Sequence, residues 1–316
     1  MRSSVITDAE NHMRPVLKWA GGKTQLLDAI SARMPTVYND YYEPFIGGGS
    51  VLLFLRPEKA YINDTNEQLI NLYIQIRDNA ESVIEVVTEL DSSPCDKEMY
   101  YRIRERYNTK ITSNELDFEC AALMIWINKH CFNGLYRVNG KGTFNVPYNN
   151  RIAGNSIDDM NLMRISEYLR GAEVQISCSD FEDACKKVKE NDFVYFDSPY
   201  VPQSETADFT DYTKDGFSLR DHERLADLFR RLDRIGAKVM LSNSEFVVLL
   251  QQKKTDLDKV IELFNLSPSQ SSYLKTGEKG TGLIVSGKKI IPFDRRISKD
   301  SSIYNLCQTD FRRDVT

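Results

Sequence analysis

Two short apolar runs, each closing on a turn, constrain this chain more than any other feature. The first, Tyr41-Tyr42-Glu43-Pro44-Phe45-Ile46, ends in Gly47-Gly48-Gly49-Ser50 and is followed by apolar Val51-Leu52-Leu53-Phe54-Leu55. The second, Asp192-Phe193-Val194-Tyr195-Phe196, ends in Asp197-Ser198-Pro199-Tyr200. A third buried strand is expected at Ala237-Lys238-Val239-Met240-Leu241-Ser242, after an amphipathic helix from about Leu219 to Ile235. Short apolar strands alternating with helices predict an α/β fold with a largely parallel sheet. Such sheets take ligands outside the carboxyl ends of their strands, where the glycines and Asp197 fall.

Between these strands, from about Glu67 to Leu169, the pattern changes. Helical periodicity over Gln68–Leu90, Lys97–Tyr107 and Leu116–Lys129 leads into a stretch rich in Gly and Asn, Asn133–Asn155. This is too long for a loop. Residues 67–169 are therefore expected to form an inserted domain of helices and a β-hairpin, with 1–66 and 170–316 forming the sheet domain. Asn139-Gly140, between Leu135-Tyr136-Arg137-Val138 and Thr143-Phe144-Asn145-Val146, is the hairpin signal.

Composition narrows the class. The 316 residues carry 41 Lys and Arg against 46 Asp and Glu, and 41% are hydrophobic, which suits a folded protein and not a disordered one. No apolar run is long enough to span a bilayer, and Met1–Arg14 lacks a signal-peptide core, so a cytoplasmic protein without a membrane partner is expected. Six scattered cysteines without paired spacing read as reduced thiols, with no metal site. A net charge of −5 argues against a nucleic-acid partner only if the charges are evenly spread. They are not. Asn128–Arg151 holds Lys129, Arg137, Lys141 and Arg151 with no Asp or Glu, interleaved with Phe132, Tyr136, Phe144 and Tyr148. Such a segment attracts anions, although a solvated hairpin with scattered cations has the same composition.

Gly21-Gly22-Lys23-Thr24 has the tail of a phosphate-binding loop, but GxxxxGK[ST] needs a glycine where this chain has Leu17. An ATPase is not predicted. Glycines at 47–49 would let backbone approach a ligand closely. Asp64, ending Ala60-Tyr61-Ile62-Asn63-Asp64, suits either a ribose acceptor or the N-cap of the following helix. Asp197-Ser198-Pro199-Tyr200 combines an acid, a rigid turn and an aromatic ring. Together these can hold a planar exocyclic amine, with carboxylate and backbone carbonyl accepting its hydrogens and the ring stacking on the base. A plain β-turn after a strand is the alternative.

The motifs Lys18-Trp19-Ala20-Gly21-Gly22-Lys23, Glu43 to Ser50, Asn133-Gly134-Leu135-Tyr136-Arg137 and Phe144-Asn145-Val146-Pro147-Tyr148 precede Asp197-Ser198-Pro199-Tyr200. Phe209-Thr210-Asp211-Tyr212 and Val239 to Ser244 follow. In this order they resemble the Dam family of DNA adenine-N6 methyltransferases, over about Val16 to Ser244. The resemblance implies a Rossmann-like S-adenosylmethionine-dependent methyltransferase sheet with an inserted DNA-recognition domain. It implies that Trp19, Lys23, Phe45, Asp64 and Asp197 hold S-adenosylmethionine, with S-adenosylhomocysteine as product, and that Asp197, Ser198, Pro199 and Tyr200 are catalytic. It makes Lys18 and Arg137 guanine readers, sets Phe132 and Asn133 beside an extruded base, and gives Leu135 and Pro147 a thymine methyl. The partner is then double-stranded DNA, the preferred site GATC, and the acting species a monomer.

Two departures stand out. The family turn is usually Asp-Pro-Pro-Tyr, and Ser198 replaces its first proline. A backbone carbonyl serves there whatever the side chain, so activity is expected to survive with a less pre-organised turn. Beyond about Leu250 the chain leaves the family pattern. These departures support the alternative of a weakly active or non-catalytic, S-adenosylmethionine-responsive DNA-binding protein.

Overall fold

The computed structural model describes residues 12–150, 154–199, 217–242, 247–250, 266–276, 282–286 and 289–293. Five parallel strands form the central sheet: β1 (Tyr41–Glu43), β2 (Lys59–Asp64), β3 (Glu173–Cys178), β4 (Phe193–Phe196) and β5 (Lys238–Leu241). Their order is β3-β2-β1-β4-β5. The chain therefore runs outward from β1 in one direction and from β4 in the other. The crevice between the carboxyl ends of β1 and β4 is the switch point where such sheets bind ligands.

Both middle strands are buried along their whole length, which is why their sequences do not alternate with polar residues. Side-chain parity still sorts them. Tyr41, Phe193 and Tyr195 enter one core, while Tyr42, Val194 and Phe196 enter the other. The second core is closed by Leu225, Leu228 and Leu232 of α9 (Leu219–Arg234), a helix started by a Ser218–Asp221 capping box. Two short helices, α1 (Leu27–Ser31) and α2 (Ser50–Leu55), precede β2, and α8 (Phe181–Ala184) follows β3.

Five helices lie between β2 and β3: α3 (Glu67–Asp78), α4 (Ala80–Asp91), α5 (Lys97–Thr112), α6 (Phe118–His130) and α7 (Asp159–Gly171). Asn66, Asp96, Asp117 and Asp158 cap α3, α5, α6 and α7, each side chain accepting the backbone N–H three residues on. The expected single helix over Gln68–Leu90 is broken at Asn79, whose ψ is 37°. Its side-chain Nδ2 donates to Gln75 Oε1 at 2.7 Å, and its backbone N–H donates to Gln75 O at the end of α3. Helix α6 is buried from Cys120 to Asn128 and again at His130, so it is the central helix of the insertion. The insertion shares one continuous core with a face of the sheet, from Tyr41 and Ile62 through Val83 to Trp126 and Leu162.

Instead of continuous hairpin strands, segment 131–148 pairs at two bridges, Cys131 with Tyr148 and Val138 with Phe144. The reason lies at its ends. A 3-10 turn at Phe132–Gly134 interrupts the first arm, and Asn139 Oδ1 closes the tip by accepting the N–H groups of Lys141 and Thr143. Residues 243–316 form a second compact unit, in which β6 (Val247–Leu250), β7 (Gly282–Ser286) and β8 (Lys289–Phe293) make an antiparallel sheet accompanied by α10 (Pro268–Thr276). The departure expected beyond about Leu250 falls in this unit. Among the described residues no helix is long and apolar enough to cross a membrane.

Candidate active site and nucleic-acid interface

A cavity of about 470 Å³ opens at the carboxyl ends of β1, β2 and β4. Its size falls within the roughly 300–1,000 Å³ of small-molecule sites. Trp19, Lys23, Phe45, Asp64, Asp197, Ser198 and Pro199 line it, together with Glu43, the glycines 47–49, Asp180, Phe181 and Phe217.

The glycine loop is shaped by the protein itself. Gly47 and Gly49 have φ of 47° and 70°, which favour glycine. A Cβ on Gly47 would lie 2.9 Å from Trp19 Cδ1, and one on Gly49 would lie 2.5 Å from the Tyr73 hydroxyl oxygen. Side-chain packing thus demands these glycines before any ligand does. Asp64 braces the loop, accepting Gly47 N–H at 3.2 Å through Oδ2 and Asn66 N–H at 3.0 Å through Oδ1. The cap of α3 is Asn66, not Asp64. Burial pushes the Asp64 carboxyl up to about 6, against the pull of these backbone donors.

Three ionisable side chains meet at the switch point. Lys23 is 2% exposed; its ammonium donates to Gly21 O at 2.7 Å and pairs with Asp197 Oδ1. Glu43, also 2% exposed, accepts from the Tyr41 hydroxyl at 2.8 Å. Burial lifts Glu43 to about 8, although Tyr41 and Lys23 oppose the rise; the Asp197 charge adds to it. At neutral pH Glu43 therefore keeps its proton, and Asp197 is the carboxylate that Lys23 pairs with. Burial also raises Asp197, to about 6, with Lys23 holding it down. The carboxylate is ionised at neutral pH yet close enough to its midpoint to take up a proton. Opposite this pair the rings of Phe45, Phe181 and Phe217 cluster, with centroids 5.4–5.8 Å apart.

The anticipated reading segment lies beyond Trp19, whose ring stacks on Tyr136 at 5.3 Å. Tyr136, Phe144, Val146 and Tyr148 are buried, whereas Leu135, Arg137, Asn145 and Pro147 alternate with them on the outer face. Phe132 is 50% and Leu135 39% exposed. Arg137 Nε donates to Asn145 Oδ1 at 2.8 Å. Lys18 packs against Gly134, where a Cβ would meet its side chain at 2.6 Å.

The sequence model of a family described as D12 class N6 adenine-specific DNA methyltransferase matches residues 19–275. The chain belongs to this family. This D12-class methyltransferase is 41% identical over 277 residues to Type II methyltransferase M1.LlaDCHI of Lactococcus lactis subsp. cremoris, covering 87% of this chain and 95% of the relative. Over 248 residues it is 41% identical to Type II methyltransferase M.MjaIII of Methanocaldococcus jannaschii, covering 73% and 84%. It is 32% identical over 234 residues to the DNA adenine methylase of Escherichia coli (strain K12), covering 73% and 81%.

In this methyltransferase the residues expected around a cofactor line one cavity, whereas Lys18, Phe132, Asn133, Leu135, Arg137 and Pro147 do not line it and belong to segments joined to it through Trp19, which stacks on Tyr136. Tyr200, Arg151, Phe209–Tyr212, Asn243 and Ser244 lie outside the described residues. Sequence reasoning passed over Glu43, Asp180 and Phe181. Glu43 was legible as an acid ending an apolar run. Asp180 and Phe181 follow β3, a half-exposed edge strand in which only Val174 and Ile176 point inward, so no continuous apolar run marks it.

Proposed function

We propose that this D12-class enzyme transfers a methyl group from S-adenosylmethionine to N6 of adenine in duplex DNA, within GATC. The observation that carries the reading is the convergence of Asp197, Lys23, Asp64 and the Phe45–Phe181–Phe217 rings on one cavity at the switch point. The donor set fits the cofactor. Asp64 accepts backbone N–H groups through both oxygens and keeps acceptor capacity for ribose hydroxyls, and the aromatic wall suits a purine. When bound, S-adenosylmethionine supplies an electrophilic sulfonium methyl and leaves as S-adenosylhomocysteine.

The chain's own residues supply position and charge. Lys23 occupies Asp197 Oδ1 and favours the ionised carboxylate, so Oδ2 accepts one N6–H of the target adenine. The carbonyl of Ser198 accepts the other. This pair of acceptors draws N6 toward tetrahedral geometry and aims its lone pair at the methyl. As the N–C bond forms, the N6 proton passes to Asp197, whose elevated pKa suits it to that task. Ser198 acts through its backbone and is compatible with activity.

Adenine N6 lies inside the duplex stack, so the target nucleotide is flipped into the cavity. Residues 67–169 read the DNA. Exposed Phe132 and Asn133 fill the gap, Arg137 meets guanine O6 and N7, Lys18 meets the outer guanine, and Leu135 and Pro147 meet a thymine methyl. The two relatives named Type II methyltransferases support a place beside a restriction enzyme. The test is digestion of DNA from expressing, Dam-deficient cells with methylation-sensitive and methylation-dependent GATC nucleases. Acquired resistance to the first and sensitivity to the second is expected; unchanged cleavage with both removes the GATC assignment.

A further inference from the structure

Lys18 and the turn at 132–135 come from distant parts of the chain, and a single buried amide joins them. Asn128, in the last turn of α6, is 5% exposed. Its Oδ1 accepts Lys18 N–H at 2.9 Å, and its Nδ2 donates to Lys18 O at 3.0 Å and to Gly134 O at 2.9 Å. The amide orientation is fixed by its partners, because only oxygen can accept an N–H and only nitrogen can donate to a carbonyl. Lys18 lies in no strand, and the asparagine pairs with both its backbone groups as a neighbouring strand would.

We infer that Asn128 is a positioning residue for sequence discrimination, which fixes the Lys18 backbone and the Gly134 turn at one spacing without itself touching DNA. The inference rests on the assignment of Lys18 and Arg137 as base readers. Gly134 completes the joint from the other side. Its φ is 66°, and a Cβ there would stand 2.6 Å from Lys18 Cδ and 2.7 Å from Lys18 Cβ. Next along each segment, Trp19 stacks on Tyr136, and Trp19 also lines the cavity. The clamp therefore sets the two readers relative to each other and to the pocket that receives the base. No common residue replaces it. Aspartate would turn an oxygen toward two carbonyl oxygens, and alanine would leave a buried N–H and two carbonyls without this partner.

The test uses the full chain, S-adenosylmethionine and a duplex library randomised around a fixed adenine, with methylated molecules identified by single-molecule sequencing. The readout is the base preference at each position, which does not require the site to be known beforehand. Asn128→Asp and Gly134→Ala are expected to keep methylation of the wild-type site within about tenfold. Both should weaken the preference at the positions relaxed by Lys18→Ala and Arg137→Ala by about tenfold or more. A merely structural role would lower the melting temperature and overall rate while leaving the base preferences sharp, and that result overturns the inference. Gly134→Ala decides the matter if Asn128→Asp does not fold. If Lys18→Ala and Arg137→Ala leave the preferences intact, the base-reader assignment itself has failed.

Discussion

The cavity and the 131–148 segment invert the usual distribution of side chains in opposite ways. The cavity gathers ionisable groups out of water: buried Lys23 and Glu43 and half-buried Asp197 lie where three strands end. The reading segment exposes apolar surface: Phe132 and Leu135 face outward beside Arg137. Each arrangement is costly in the free protein, through desolvation in the first case and water-exposed carbon in the second. The difference separates two tasks. Under the proposed function, chemistry is assigned to strand ends within the parallel sheet, and recognition to loop backbone held by its buried face, Tyr136, Phe144, Val146 and Tyr148.

The largest expected effect breaks one region and spares the other. Asp197→Ala should lower methyl transfer by roughly 10²–10³-fold or more. DNA binding, measured by fluorescence anisotropy, should stay within about threefold. In the wild type, single-turnover rates should fall about tenfold per pH unit below the Asp197 midpoint near 6, because the protonated carboxyl no longer accepts the amine hydrogen.

Glu43→Gln probes the burial of charge itself. Folded Glu43 keeps its proton up to about pH 8, whereas the unfolded group releases it near 4.5. Between those limits folding takes up a proton, so wild-type stability falls as pH rises. The variant lacks that dependence and should gain on the wild type by up to about 1.4 kcal/mol per pH unit over the window. Urea denaturation at several pH values measures it; parallel curves for the two proteins would show that Glu43 titrates normally.

Arg137→Ala reverses the first experiment. Discrimination against a substituted guanine should drop by about 1–3 kcal/mol, while S-adenosylhomocysteine binding by calorimetry should be unchanged. A change in cofactor affinity would mean that the two regions are not separable. The smallest effect is expected at Lys141, exposed at the hairpin tip. Lys141→Ala should reduce the salt slope of DNA binding by about one unit or less and leave the base preferences alone.

The sheet was legible where burial leaves a mark in the sequence. The runs 41–46, 192–196 and 237–242 contain β1, β4 and β5, and their glycine and acid turns mark the switch point. Strand β3 was missed, and Asp180 and Phe181 with it: Val174 and Ile176 alternate with exposed Glu173, Gln175 and Ser177, and so brief an alternation at a sheet edge is a weaker mark than a continuous apolar run. Helices α6 and α9 follow their periodicity closely and α5 runs on to Thr112; at Asn79 the backbone leaves the helical region inside the single helix expected over Gln68–Leu90. At the site, residue types pointed to the glycines 47–49, Asp64 and Asp197, because glycines and acids at strand ends suit a ligand, whereas Trp19, Lys23 and Phe45 came only from the family resemblance. The state of those groups was not legible, because it depends on neighbours distant in sequence.

By itself the sequence determined the parallel α/β class, the strand-end turns that line the cavity and the acid-free, aromatic-rich segment that breaks up an acidic total. These are local properties, written in strings of adjacent residues. Tertiary structure alone decided that Lys23 pairs with Asp197, 174 positions away, that Glu43 shares their burial, and that Asn128 joins Lys18 to Gly134. Desolvation and hydrogen bonding act over a few ångströms, and only the folded chain brings such residues that close.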